Sequence, residues 1–154
     1  MLIYRAPVAL LKSGTVSKRS GYVAVVMRHY PRFLKKEAVD EYLRVLAPAA
    51  GLFAEFKALE RKLGDHNAAF AAVRYEDRFG LTPEGADALG RLCALAKTRD
   101  VHLICQCGFD QRCHGDLLLL TARLAFGALT SQLPFTYPEY AARVAEGAAP
   151  PATP

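Results

Sequence analysis

Three thiols and an imidazole fall within a span of ten residues, at Cys105, Cys107, Cys113 and His114. Thiolate and imidazole are the donors that zinc and iron take, so these four residues form one candidate metal set. Their spacing is not that of a structural zinc knuckle, and adjacent Cys113 and His114 reach a single ion with difficulty. The other chemistry open to them is nucleophilic. A thiol in the first turn of a helix feels the partial positive charge of the helix end and ionises at lower pH, which makes Cys113 the candidate nucleophile. His114 beside it is the candidate proton donor or acceptor, and the backbone N–H groups of Cys113 to Asp116 form an expected anion seat.

A second cluster, Arg28-His29-Tyr30-Pro31-Arg32 followed by Lys35 and Lys36, places two guanidiniums near a rigid proline turn. Guanidinium forks hold carboxylate or phosphate through paired hydrogen bonds, so Arg28 and Arg32 are candidate anion ligands, with Tyr30, Cys105 and Arg112 beside them.

Something must bring these clusters together. Gly21 to Met27 and Val101 to Cys105 read as strands buried on both faces, each ending just before one cluster. Leu2 to Tyr4 and Val8 to Leu11 read as short extended pieces, and Lys12 to Ser20 as a basic loop. Helical spacing recurs over Lys35 to Leu46, again from Leu52 to Leu63, from an Asn67 cap to about Phe79, and from Thr82-Pro83-Glu84 to about Lys97. A last apolar helix opens at Cys113 and runs to about Phe126. The expected fold is α/β: a single domain, residues 1–126, with a mainly parallel sheet flanked by helices, then a Pro/Ala-rich tail over 127–154. Within that tail the aromatic patch from Phe135 to Tyr140 has the composition to pack back on the domain, and 147–154 is expected to be mobile. In such a sheet, ligands bind beyond the carboxyl ends of the strands, so Arg28 and Cys105 are expected to face one crevice.

Composition narrows the function classes. A chain of 154 residues, 52% hydrophobic and 23% charged, supports one core. Its apolar runs are far shorter than a bilayer crossing needs, so no membrane partner is expected. The four cysteines and the lack of a secretory leader pattern point to a reduced, cytoplasmic protein. The net charge of +5 favours anionic partners only mildly.

The Gly21-Tyr22 strand start, the Arg28 to Arg32 turn, Lys36-Glu37, Leu46-Ala47-Pro48 and the run from Val101 through Cys113-His114 to Leu120 occur in an order that resembles the YeaO-like family, domain of unknown function 488. The resemblance implies the α/β fold and a site around Arg28 and Cys113-His114, but no settled reaction. It also exposes two departures: Tyr30 stands where the family pattern has tryptophan, and Gly115 where it has arginine after Cys-His. Loss of that arginine removes an expected anion contact at the helix mouth, so either Arg112 substitutes for it, or this member binds something else, or it has lost activity.

Three readings follow. The first is a crevice for a small anionic or nucleotide-like ligand, with a reactive cysteine. The second is a zinc or iron protein built on Cys105, Cys107, Cys113 and His114. The third is a nucleic-acid-binding module using Lys12, Lys18, Arg19 and the basic turn from Arg28 to Lys36, although no recognisable nucleic-acid motif accompanies it.

Overall fold

The computed structural model describes residues 1–147; part of the tail expected to be mobile, 148–154, lies outside them. Four strands, β1 (Ile3–Pro7), β2 (Tyr22–Val25), β3 (Glu41–Tyr42) and β4 (Val101–Cys105), form an all-parallel sheet in the order β1-β4-β2-β3. The helices are α1 (Val8–Lys12), α2 (Ala50–Leu63), α3 (His66–Ala72), α4 (Tyr75–Arg78), α5 (Pro83–Leu95), α6 (His114–Phe126) and α7 (Pro138–Ala145). The protein is an α/β single domain.

All five β4 residues are buried, because the strand has a neighbour on each side and a core on each face. Strand periodicity divides them. Val101, Leu103 and Cys105 join the larger core under α2, α5, α6 and α7, whereas Ile104 joins a smaller core with Val23, Val25, Val8 and Leu11. Cys105 therefore faces the helix carrying His114.

Three local expectations are corrected. Val8 to Leu11 is helical, not extended: Pro7 sits at the cap with φ −68° and ψ 148°, and buried Val8 and Leu11 fall one turn apart. The segment 35–46 is not a helix. It makes a single tight turn at Lys36–Ala38, the short β3, and another turn at Arg44–Leu46. Its backbone pairs with β2 instead of with itself, Asp40 N–H donating to the Val23 carbonyl at 2.9 Å and Leu43 N–H to that of Val25 at 2.8 Å. The third correction concerns the helix after Leu63. Asp65, not Asn67, caps α3 by accepting from Ala68 N–H at 3.0 Å, and the chain then breaks at Arg74, which adopts φ 58°.

The segment after Phe126 returns to the domain. Ser131 N–H donates to the Ile3 carbonyl at 2.9 Å, and α7 packs on α6 with Tyr140 fully buried against Phe79. Among the described residues no helix is long and apolar enough to cross a membrane.

Candidate functional site

The carboxyl ends of β2 and β4 open into a cavity of about 390 Å³. Cys105, Cys107, Cys113 and His114 are among its lining residues, as are Arg28 and Arg112, with Phe53, Phe56, Phe70 and Tyr75 on its walls. The crevice thus brings together Arg28, Arg112 and the Cys/His cluster. Two further candidates lie apart. Arg32 is exposed and does not line the cavity; Tyr30 packs edge-on against Tyr42 in the smaller core, where its buried hydroxyl has no hydrogen-bond partner among the described residues. Of the basic loop, Lys12 stacks over Phe33 at 5.0 Å and Lys18 donates to the Glu37 carbonyl at 3.1 Å; neither lines the cavity.

Cys113 is the N-cap of α6. Its Sγ accepts from Gly115 N–H at 3.3 Å and lies 3.3 Å from Cys105 Sγ. The cap was expected to acidify this thiol, but burial pushes it well up, and the neighbouring Cys105 and Cys107 add to the rise. Cys105 is instead the thiol favoured to ionise. Hydrogen bonds from Cys107 and Cys113 hold the Cys105 thiol well below the usual range, helped by His114 and Arg5, against the cost of burial. Cys107 is pushed up, chiefly by its hydrogen bond to Cys105. The three sulfurs titrate together, with ionisation favoured at Cys105 over Cys107 and Cys113.

His114 Nε2 lies 2.8 Å from the Val26 carbonyl, which only accepts, so Nε2 carries the proton and Nδ1 presents a lone pair 3.8 Å from Cys113 Sγ. Burial lowers the His114 pKa below its ordinary 6.5, with Arg5 adding to the shift, while Cys105, the Val26 carbonyl and Asp116 oppose it. A group depressed in the folded state leaves the unfolded chain holding more protons once the pH drops below 6.5, so stability must fall with acidification there. Urea midpoints at about pH 7.5 and about pH 5.5 should show a loss that shrinks in His114→Gln, which can keep a donor for Val26. An equal loss in both proteins would remove His114 from the account.

Three of the four N–H groups of the anion seat expected on the helix backbone are taken up from within. Cys113 N–H donates to the Tyr137 hydroxyl at 3.3 Å, Gly115 N–H to Cys113 Sγ, and Asp116 N–H to the Cys113 carbonyl at 3.1 Å.

The largest feature the sequence reading missed is Arg5. Projecting from β1, it is 4% exposed and donates Nε–H to Asp116 Oδ1 at 2.7 Å. Its Nη1 reaches the carbonyls of Cys107 and Gly108, each at 3.2 Å, and lies 3.8 Å from Cys105 Sγ, while Nη2 meets the Gln111 carbonyl at 3.4 Å. The guanidinium thus ties β1, the 106–112 loop, the thiols and α6 together. Asp116 is completed by the Tyr137 hydroxyl at 2.5 Å. Burial pushes the Asp116 carboxyl up, and Arg5 and Tyr137 pull against it.

Gly115 now has a physical explanation. A Cβ built there would meet Arg5 Cδ at 2.6 Å and Cγ at 3.0 Å, so the stem of Arg5 occupies the space a side chain would need. A guanidinium does reach the helix mouth, but from β1. Because Arg5 is pinned along its length, Gly115→Ala should destabilise the protein by about 1–3 kcal/mol in thermal or urea unfolding. An unchanged midpoint would show that Arg5 yields freely.

His66, and Asn67 that was expected to cap a helix, hold the backbone around Arg112. His66 Nδ1 contacts Glu60 Oε2 at 2.6 Å and its Nε2 the Arg112 carbonyl at 2.7 Å. Asn67 accepts Arg112 N–H at 2.8 Å and donates to the Asp110 carbonyl at 3.1 Å. Burial raises the Glu60 carboxyl, but Lys57 and His66 outweigh it and hold it below the ordinary value. The Arg112 guanidinium lies over Phe135 and Tyr137 at 4.9 and 5.1 Å. Arg28 is different: half-buried at the cavity, its guanidinium has no hydrogen-bond or ion-pair partner among the described residues. As for the metal reading, no group of three or more His, Cys, Asp or Glu side chains among the described residues is arranged to hold an ion.

Comparison with known proteins gives no match among curated proteins or solved structures. Residues 9–123 match the family model DUF488-N3a, described as the active DUF488-N3 subclade. That span runs from α1 into α6 and takes in the thiols, His114, Arg28 and Arg112, and by it the chain belongs to the DUF488, YeaO-like family.

Proposed function

We propose that the cavity binds a small anionic, nucleotide-like ligand and presents to it the thiol cluster, with Cys113 and His114 serving the proton and Cys105 carrying the charge. The observation behind this reading is the Arg28 guanidinium, unpartnered among the described residues, lining the same cavity as the three thiols. A half-buried guanidinium without a carboxylate is incompletely solvated, and an incoming phosphate or carboxylate restores what it lacks. Phe53, Phe56 and Phe70 supply flat apolar walls for a ring system. Membership in a subclade described as active agrees with a working site.

Titration calorimetry with adenosine monophosphate and with inorganic phosphate tests the reading. Wild-type protein should bind the nucleotide more tightly than phosphate alone, and Arg28→Ala should weaken the nucleotide by roughly tenfold to a hundredfold, the range of one hydrogen bond to a charged group. Undetectable binding of both probes, or equal binding by the variant, would sink the proposal.

A further inference from the structure

All four cysteines are free, yet Cys105 and Cys113 hold their sulfurs 3.3 Å apart. A disulfide requires about 2.05 Å, so little more than a side-chain adjustment separates this pair from a covalent bond. Cys105 terminates a strand hydrogen-bonded on both sides, and Cys113 caps a helix whose first turn is anchored by Asp116. Their approach is therefore fixed by the framework and not by a mobile loop. Both cysteines are lining residues of the cavity, and both are buried, 0% and 2% exposed, so only a small solute entering from the cavity side can reach them. The His114 Nδ1 lone pair, 3.8 Å from Cys113 Sγ, gives the thiol proton a place to go.

We infer that Cys105 and Cys113 form a dithiol–disulfide couple that reduces small hydroperoxides, an activity that does not depend on anion binding at Arg28. The Cys105 thiolate attacks one peroxide oxygen: the S–O bond forms, the O–O bond breaks, and the departing hydroxide or alkoxide takes a proton from solvent. Cys113 passes its proton to His114 Nδ1 and its sulfur attacks that of Cys105. The S–S bond forms, the S–O bond breaks, and hydroxide leaves as water with the proton held on His114. The dithiol loses two electrons and one peroxide gains them, giving water and an alcohol, or two waters from hydrogen peroxide. The thiolate is supported at Cys105 by hydrogen bonds from its two neighbours and by the Arg5 guanidinium, whereas Cys93, remote from the cluster, is pushed up to about 11 by burial.

The test uses the reduced full-length protein, treated with one equivalent of hydrogen peroxide, blocked at its remaining thiols and digested with trypsin without reduction. Arg112 separates the two cysteines, so cleavage leaves Cys105 and Cys107 on peptide 100–112 and Cys113 on peptide 113–123. The expected product is the two peptides joined, lighter by two hydrogens, with fragmentation placing the link on Cys105 and the blocking group on Cys107. One peroxide should be consumed per chain. In Cys113→Ser the link should vanish and a dimedone-trappable sulfenate remain on Cys105. Unreacted thiols in the wild type, a link through Cys107, or over-oxidation to sulfinate with no cross-link would each overturn the inference, and the wild-type peptide map decides this even if the variant fails to fold.

Discussion

Arg5→Met should lower the unfolding free energy by about 3–5 kcal/mol, because it leaves the Asp116 carboxylate buried without its cation. Arg5 and Asp116 side chains are 2% and 0% exposed, so water cannot take over the lost contact. The same change orphans the carbonyls of Cys107, Gly108 and Gln111, which now share the guanidinium. Burial alone would lower the Arg5 pKa, but the surrounding Cys113 and Cys105 sulfurs and the Asp116 carboxylate outweigh it and keep the group protonated across the working range. Replacing both members, Arg5→Met with Asp116→Leu, should recover much of the loss, since the cost lies mainly in the stranded charge. Urea unfolding of the four proteins in the cycle measures this. A single-variant loss under about 1 kcal/mol would mean that the network is not what holds the 106–112 loop.

Tyr140→Ala should cost about 3–5 kcal/mol, as for other large aromatic truncations in a core. Tyr140 is 0% exposed, packs against Phe79 at 5.9 Å between ring centroids, and shares a 2.8 Å hydrogen bond with Thr121. The Thr121 hydroxyl also donates to the Leu117 carbonyl, so Tyr140→Phe leaves it satisfied and should cost only about 1 kcal/mol. Thermal melts separate the two: the alanine variant should lose roughly 10 °C and the phenylalanine variant a few degrees. Equal effects would place the contribution in the hydroxyl and not in the ring. The consequence for the site is direct, because α7 follows Tyr137, whose hydroxyl completes Asp116.

The parts of this fold legible in the sequence are those that local pattern encodes. The apolar run from Val101 to Cys105 is a strand as read, because a central parallel strand is covered on both faces. Thr82-Pro83-Glu84 starts α5 as read, since Thr82 accepts Gly85 N–H at 3.0 Å and proline needs no N–H at that position. The helix misread over 35–46 shows where pattern fails. Val39, Tyr42, Leu43 and Leu46 fit helical spacing, but β2 offers free edge groups that a lone helix cannot match.

At the site, Arg28, Arg112 and the Cys/His cluster converge because strand ends converge, which topology alone implies. Arg5 and its partners were invisible for the opposite reason. Arg5 is a single charge in a short apolar strand, and its carboxylate lies 111 residues away. Asp116 at the start of a helix and Tyr137 in a composition-poor tail each have an ordinary local explanation, so only their meeting reveals the network. His66 and Asn67 likewise act on a loop more than forty residues distant. The Cys113 thiol shows a local rule overruled: the helix end favours ionisation, but burial beside two other sulfurs pushes this thiol up and leaves Cys105 the one favoured to ionise.

The most direct test of the central claim, that the cavity holds one stabilised thiolate beside an anion-binding Arg28, is the pH dependence of iodoacetamide alkylation with each modified cysteine assigned by mass spectrometry. The account predicts that one thiol of the Cys105, Cys107 and Cys113 cluster reacts with a midpoint below the ordinary thiol range, that Cys93 reacts only in strong alkali, and that adenosine monophosphate slows the fast thiol in wild type but not in Arg28→Ala. Alkylation of the cluster only at or above the ordinary thiol range, with no effect of the nucleotide, would contradict it.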